Sequence, residues 1–234
     1  MAVEFLDNFT ELTTDTALPA HAPDTDVPAA GWAVTQINTT VDLVAAQATD
    51  TAQASADDIA GSTNGIYGVT GTLSDADYDV EVTVKAAQTG SGDDHAGIAG
   101  RYTDGDNFYG VLFFQTGSAN RINLFKKVAG VLTSLATDTT TVLVADDVVK
   151  LEMRGVTLKV YVNGVEKLSV TDSGLASAGK ALLGLGYFFN GTITGISSSG
   201  DIVVAWQFDA FTVTVPKAFP FRHPSLVLAH LLGR

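Results

Sequence analysis

Residues 147–171 read Asp-Val-Val-Lys-Leu-Glu-Met-Arg-Gly-Val-Thr-Leu-Lys-Val-Tyr-Val-Asn-Gly-Val-Glu-Lys-Leu-Ser-Val-Thr. Leu158, Val160 and Val162 alternate with Thr157, Lys159 and Tyr161, the period of two of a strand with one buried face. Asn163-Gly164 supplies the positive φ angles of a two-residue hairpin turn. Val165 to Leu168 begin the return strand. The stretch predicts three short antiparallel strands joined by tight turns.

The same pattern extends outward in both directions. Tyr78, Val80, Val82, Val84 and Ala86 alternate with Asp79, Glu81, Thr83 and Lys85, the clearest one-face pattern in the chain. Ala96–Tyr102 and Phe108–Gln115 flank the turn sequence Thr103-Asp-Gly-Asp-Asn107, and Arg121–Val128 and Val131–Thr137 flank Ala129-Gly130. Val3–Phe9, Trp32–Ile37, Asn64–Val69, Ala181–Phe188 and a final strand or pair over Ile202–Val215 complete about fourteen candidate strands, spaced as in an all-β sandwich. Asp42–Ala48 and Thr51–Ala56 are weakly patterned. Thr10–Ala30, with Pro19, Pro23 and Pro28, reads as a loop, as does the Gly- and Ser-rich stretch Asn190–Gly200. No helix is expected in residues 1–215, and no repeat of fixed period is visible.

Composition bounds the answer. The 234 residues are 46% hydrophobic and 17% charged, enough apolar material for a core and too little charge for disorder. There is no cysteine, so neither a disulfide nor a thiolate metal site is available. No apolar run approaches the ~18 residues of a membrane span. Met1–Phe9 lacks the basic start and apolar centre of a secretion signal, so export by the general route is not expected. The net charge is −13: residues 1–215 carry 10 Lys+Arg and all 26 Asp+Glu, whereas residues 216–234 carry Lys217, Arg222 and Arg234 and no acid. An acidic body repels phosphate and argues against a nucleic-acid partner.

The composition changes at Val215-Pro216. Residues 1–215 read as one β domain and 216–234 as a separate arm, with Pro216, Pro220 and Pro224 at intervals of four. Such spacing keeps a chain extended and out of a sheet. Ser225 caps an expected short helix, Leu226–Leu232, closed by Gly233. Its leucines require burial on this domain or on another chain. Phe219, Phe221, Leu226, Leu228, Leu231 and Leu232 are the expected partner contacts.

Taken in order, Asp7-Asn-Phe9, Asp77–Val84, Ala96–Tyr109, Arg121–Lys127, Val149–Val170, Gly179–Gly184 and Phe208–Val213 resemble the concanavalin A-like lectin/glucanase superfamily in its laminin-G-like branch. The resemblance spans roughly residues 1–215. It implies an antiparallel two-sheet jelly-roll sandwich whose first and last strands lie side by side, with Asp7-x-Phe9 and Asp209-x-Phe211 as neighbours. The arm has no counterpart in that family. The fold serves lectins, glycosidases, adhesion modules and scaffolds alike, so function must come from a site.

Retaining hydrolysis needs two carboxylates about 5 Å apart, and enzymes of the family carry them as Glu-x-Asp-x-Glu on one strand. No such run exists here. Asp75-x-Asp77-x-Asp79 is the nearest, and it reads as a solvated turn and outer face. An enzyme is therefore not expected. His21, His95, His223 and His230 are isolated, without metal-ligand spacing, and His21 and His95 fall in polar stretches. No serine sits in a nucleophile elbow. Relatives commonly hold calcium, and Asp7 with Asp209, or Asp104, Asp106 and Asn107, offer oxygen ligands. Asp-Gly-Asp-Asn is first of all a turn sequence, and neither a metal nor another cofactor is assigned. Glycan binding would use Arg101, Tyr109, Gln115, Asn120 and Arg121 on or beside one open sheet face. Trp32 and Trp206 read as core.

The expectation for function is a non-enzymatic virion structural protein, most simply of a tailed bacteriophage. It would decorate or stabilise the capsid, or serve tail-associated adhesion, displaying a lectin-like sandwich held by its arm. A lectin-like fold works outside the cell, and virion proteins get there by lysis without a signal. Its partners would be other virion proteins, copies of itself and host-surface glycan. The alternative is a secreted, extracellular carbohydrate-binding module.

Overall fold

The computed structural model describes residues 2–10, 16–26, 31–34, 43–46, 51–54, 64–86, 95–115, 120–186 and 206–216. Among them are seventeen strands and one short 3₁₀ turn, Leu18–Ala20, with no α-helix. The strands are β1 (Ala2–Asp7), β2 (Thr16–Ala17), β3 (Thr25–Asp26), β4 (Trp32–Val34), β5 (Leu43–Ala46), β6 (Thr51–Ala54), β7 (Asn64–Val69), β8 (Tyr78–Ala86) and β9 (His95–Asp104). Then come β10 (Asn107–Gln115), β11 (Asn120–Val128), β12 (Val131–Asp138), β13 (Val148–Arg154), β14 (Thr157–Val162), β15 (Val165–Thr171), β16 (Lys180–Gly186) and β17 (Gln207–Val215).

They form two antiparallel sheets. The ten-stranded sheet runs β15-β14-β13-β8-β17-β6-β5-β2, with β1 on β17 and β3 on β1; the seven-stranded sheet runs β12-β11-β10-β9-β16-β7-β4. The expected sandwich is therefore seen, with short pairings (β2, β3) inside the stretch read as loop. First and last strands are neighbours, Asp7 opposite Phe211 and Ala2 opposite Val215.

Alternation explains the layers. Tyr78, Val80, Val82 and Val84 on β8, Val149, Leu151 and Met153 on β13, and Phe208, Phe211 and Val213 on β17 turn inward. They meet Ala96 and Ile98 of β9, Tyr109, Val111 and Phe113 of β10, and Ile122 and Leu124 of β11 from the other sheet. Each such side chain contributes about 1.5–3 kcal/mol on burial. The hairpin turn at 163–164 has φ of 51° at Asn163 and 75° at Gly164, the left-handed pair that Asn-Gly tolerates.

Trp32 and Trp206 are core residues, each 2% exposed. Both described histidines are buried: His21 lies in a loop, as read, but packs inward, and His95 belongs to a strand rather than to a polar loop. His95 opens β9 and stacks on Phe114, ring centroids 5.2 Å apart. His21 Nε2 lies 2.8 Å from Asp7 Oδ1. The same carboxylate accepts the Trp32 indole N–H at 2.6 Å and the Phe9 N–H at 2.8 Å. Asp7 is thus engaged inside the fold, while Asp209 faces Lys85 at 3.9 Å.

Candidate functional site

The two outer faces differ in kind. On the ten-stranded sheet the outward positions of β8, β13 and β14 form a charge ladder. Arg154 Nη2 lies 2.6 Å from Asp79 Oδ1, and Lys150 Nζ lies 3.9 Å from Asp79 and 3.8 Å from Glu152. Lys150 also sits 4.6 Å above the Tyr161 ring, and Lys159 pairs with Glu166 at 2.8 Å. Asp79 is not the solvated residue expected: it is 2% exposed. Burial raises its carboxyl above the ordinary carboxylate range, against the pull of Arg154 and Lys150. Every charge on this ladder faces an opposite one, the arrangement of a self-satisfied sheet exterior.

The seven-stranded sheet is apolar on its outer side too. Register places Gly184, Gly97, Leu112, Asn123 and Thr137 in one row across β16, β9, β10, β11 and β12. Leu182, Ala99, Gly110, Phe125 and Ser134 form the next row, and His95, Phe114 and Arg121 another. Tyr102, Phe108, Ala99, Leu112, Phe125 and Leu182 pack as a second hydrophobic cluster, separate from the core between the sheets, with Leu132 against it. Phe125 meets Phe108 edge-on at 5.9 Å and lies over Gly110, where a Cβ would strike its ring.

One polar group on this face is unfinished. Asn123 is 1% exposed. Its Nδ2 donates to Ser134 Oγ at 2.7 Å and Thr137 Oγ1 at 2.6 Å, and its Oδ1 has no partner among the described residues. Because hydroxyls both donate and accept, turning the amide over would only transfer the deficit to nitrogen. A buried amide oxygen without a donor costs about 1–3 kcal/mol. A hydroxyl-bearing ligand would remove that cost.

The five residues expected to bind glycan are not brought together. Arg101 sits in a bulge of β9 with φ of 49° and is 1% exposed. Its guanidinium donates to Ala76 O at 2.9 Å and Leu175 O at 2.8 Å and meets Asp77 at 3.2 Å, and its N–H donates to the Tyr78 hydroxyl. Tyr109 faces the core; its hydroxyl donates to Asp172 Oδ1 at 2.6 Å and accepts from Leu175 N–H at 3.0 Å. Burial, then the Asp172 bond, push it up to about 12. Gln115 clamps Leu143 with both ends of its amide, at 2.8 and 3.0 Å. Asn120 and Arg121 are half-buried at the head of β11, and of the five only Arg121 shares the outer row with Phe114 and His95. These side chains are taken up in the architecture because each strand's alternation turns Tyr109 and Gln115 inward and the bulge turns Arg101 inward. The arm residues Phe219, Phe221, Leu226, Leu228, Leu231 and Leu232 lie outside the described residues.

Among the described residues no group of His, Asp and Glu stands where it could hold a metal ion. Asp104 Oδ1 accepts from Asp106 N–H and Asn107 Nδ2, each at 2.8 Å, and Asp106 faces Lys127 at 3.3 Å, so this loop closes on itself as a turn. Among the described residues no helix is long and apolar enough to cross a membrane.

No family model matches the sequence, and no curated protein matches it. Solved structures do share the fold. A structure from work on endo-acting O-glycanases that human gut microbiota express to initiate mucin breakdown superposes with a TM-score of 0.59 at 15% identity, over 92% of this chain and 100% of that one. The CBM2 module of the evolved Dit of Lactobacillus casei BL23 phage J-1 gives 0.58 at 12% identity, over 90% and 94%. A Bacillus licheniformis β-glucanase gives 0.56 at 12% identity, over 88% and 100%. The fold is thus an antiparallel two-sheet jelly-roll sandwich, shared by proteins as different as a carbohydrate-binding module and a glucanase.

Proposed function

We propose that this chain is a non-enzymatic, glycan-recognising sandwich displayed on a larger assembly, a virion in the reading the phage Dit module favours, with the segment after Val215 joining it to that assembly. The observation that carries the glycan reading is the Asn123 amide, buried and lacking a partner among the described residues, on the outer face of the seven-stranded sheet. Beside it stand Phe114 and Phe125, in the neighbouring rows of the same face. A sugar offers a hydroxyl to such an oxygen and an apolar face to such rings.

Catalysis is disfavoured on the same residues. The outward positions that surround Asn123 on β9, β10 and β11 are Gly97, Ala99, Gly110, Leu112, Phe114, Arg121 and Phe125, without a carboxylate. Asp79 and Glu152 are opposite one another across β8 and β13, but Lys150 and Arg154 contact both and fill the space a sugar would need between an acid and a nucleophile.

A glycan array tests the reading, probed with the full chain and with a chain ending at Pro216. Binding to at least one glycan, weakened tenfold or more by Asn123→Leu at unchanged thermal midpoint, is the expected result. Silence from both proteins across the array would end the glycan reading. Cofractionation with particles, lost on removing 217–234, is expected of the virion reading.

A further inference from the structure

We infer that Asn163 is a shielded modification site: Asp147 and Val148 hold its side-chain amide away from the Gly164 nitrogen, so that loss of ammonia there is slow in the folded chain and, once it has happened, unlocks the β14–β15 turn from the head of β13.

The chemistry is that of any Asn-Gly pair. The Gly164 amide gives up its proton to water, and its nitrogen attacks Asn163 Cγ. The Cγ–Nδ2 bond breaks, Nδ2 leaves as ammonia, and a five-membered imide remains. Water then opens one of the two ring C–N bonds and leaves aspartate or isoaspartate; nothing is oxidised or reduced. Glycine has no side chain to block the approach, and Asn163 and Gly164 are both exposed to water. By its two residues alone the pair should be labile.

The fold opposes the attack at three atoms. Asn163 Nδ2 donates to Asp147 Oδ1 at 2.7 Å. Asn163 Oδ1 accepts the Val148 N–H at 2.9 Å. The Asn163 N–H donates to Val148 O at 2.9 Å. Cγ reaches the Gly164 nitrogen only if the side chain swings away from both partners, and the bond to Asp147 is of the stronger, charge-assisted kind. Asp147 is itself held. It is 8% exposed, its Oδ2 accepts the Val144 N–H at 2.8 Å, and its main-chain O accepts the Val84 N–H at 2.8 Å. The clamp is thus anchored on β8, outside the hairpin it guards.

The products do not fit this clamp. In aspartate an oxygen replaces the Nδ2 that stood 2.7 Å from Asp147, and two carboxylates face each other where a donor met an acceptor. In isoaspartate the main chain gains a carbon inside a two-residue turn, which breaks the pairing of Val162 with Val165.

Peptide mass mapping of the full chain tests the inference, in mildly alkaline buffer well below the thermal midpoint and, in parallel, in urea. Asn64-Gly65 and Asn190-Gly191 join Asn163-Gly164 in giving the intrinsic rate in urea. In buffer Asn163 should react at least tenfold more slowly than in urea; equal rates would overturn the shielding. Asp147→Ala should raise the folded-state rate severalfold, and an unchanged rate would overturn the clamp. Because that variant also loses stability, Ile98→Val or Ile98→Ala in the opposite sheet, whichever matches its thermal midpoint, is followed beside it. The matched variant should keep the slow rate; an equal rise in both would assign the protection to global folding and sink the clamp. Asn163→Asp stands in for the first product. It should lower the thermal midpoint by several degrees in the otherwise unaltered chain and by much less in Asp147→Ala, whereas equal losses in the two backgrounds would refute the unlocking.

Discussion

At the scale of single residues, the fold is fixed by a few buried charges whose partners come from distant segments. Asp7 collects the Trp32 indole N–H, His21 and its own Phe9 N–H. Asp7→Asn keeps the shape but turns an NH₂ toward one of those donors. A loss of about 2–3 kcal/mol is expected, the range for bonds to a charged group, measured by urea unfolding at neutral pH. Asp138 gives a pH test. Burial pushes its carboxyl up, but bonds from Thr141 and Thr140 outweigh this and hold it at about 2, below the ordinary 3.8. A folded value below the unfolded one means ionisation favours the fold. That contribution is complete above the ordinary value and disappears as pH falls through about 2. Asp138→Asn should therefore lower stability at neutral pH and flatten the acid limb between those values. Asp79 and Glu81, raised by burial, act oppositely: their contribution is complete at low pH and is lost as pH rises through their folded values. The partners of Asp7 and Asp79 were not legible from sequence, because local spacing says nothing about a residue tens of positions away, whereas Asp138 is held by its near neighbours Thr140 and Thr141.

At the scale of elements, most of the sheet was legible. The alternation on β8 and β14 gave their buried faces, and Asn163-Gly164 gave its turn, because both signals are local. The β9–β11 region was misread where alternation gave out. Phe108-Tyr-Gly-Val-Leu-Phe-Phe114 is apolar at nearly every position, the mark of a strand covered on both sides. Read as a one-sided strand it offers Tyr109 as a binding residue; in the fold Tyr109 belongs to the inner face and Phe108, Leu112 and Phe114 to the outer. The pairing of Gly110 with Phe125 is the element-level test. Gly110→Ala drives a methyl into the ring and should cost about 1–3 kcal/mol, typical of overpacking. Phe125→Leu in the same chain should recover part of that loss, and a double-mutant cycle would measure the coupling. Strict additivity would show that the two do not touch energetically.

At the scale of the whole molecule, one hydrophobic cluster includes Phe5 and Trp32 near the start of the chain and Trp206, Phe208 and Phe211 near the end. Residues 1–215 should therefore unfold as one unit. Trp32→Phe and Trp206→Phe each leave a single reporter, and the two fluorescence transitions in urea should share one midpoint once each is compared with its own circular-dichroism curve. Separate midpoints would mean two cores. The sequence by itself determined that this chain is a layered antiparallel sandwich, because alternation and turn residues act over two to four positions and leave few alternatives. Which outer face is polar and self-paired, which is apolar and holds the unfinished Asn123 amide, and that Arg101, Tyr109 and Gln115 face inward were decided only by tertiary structure. Sheet register and the bulge in β9 set those outcomes, and both depend on contacts between segments far apart in the chain.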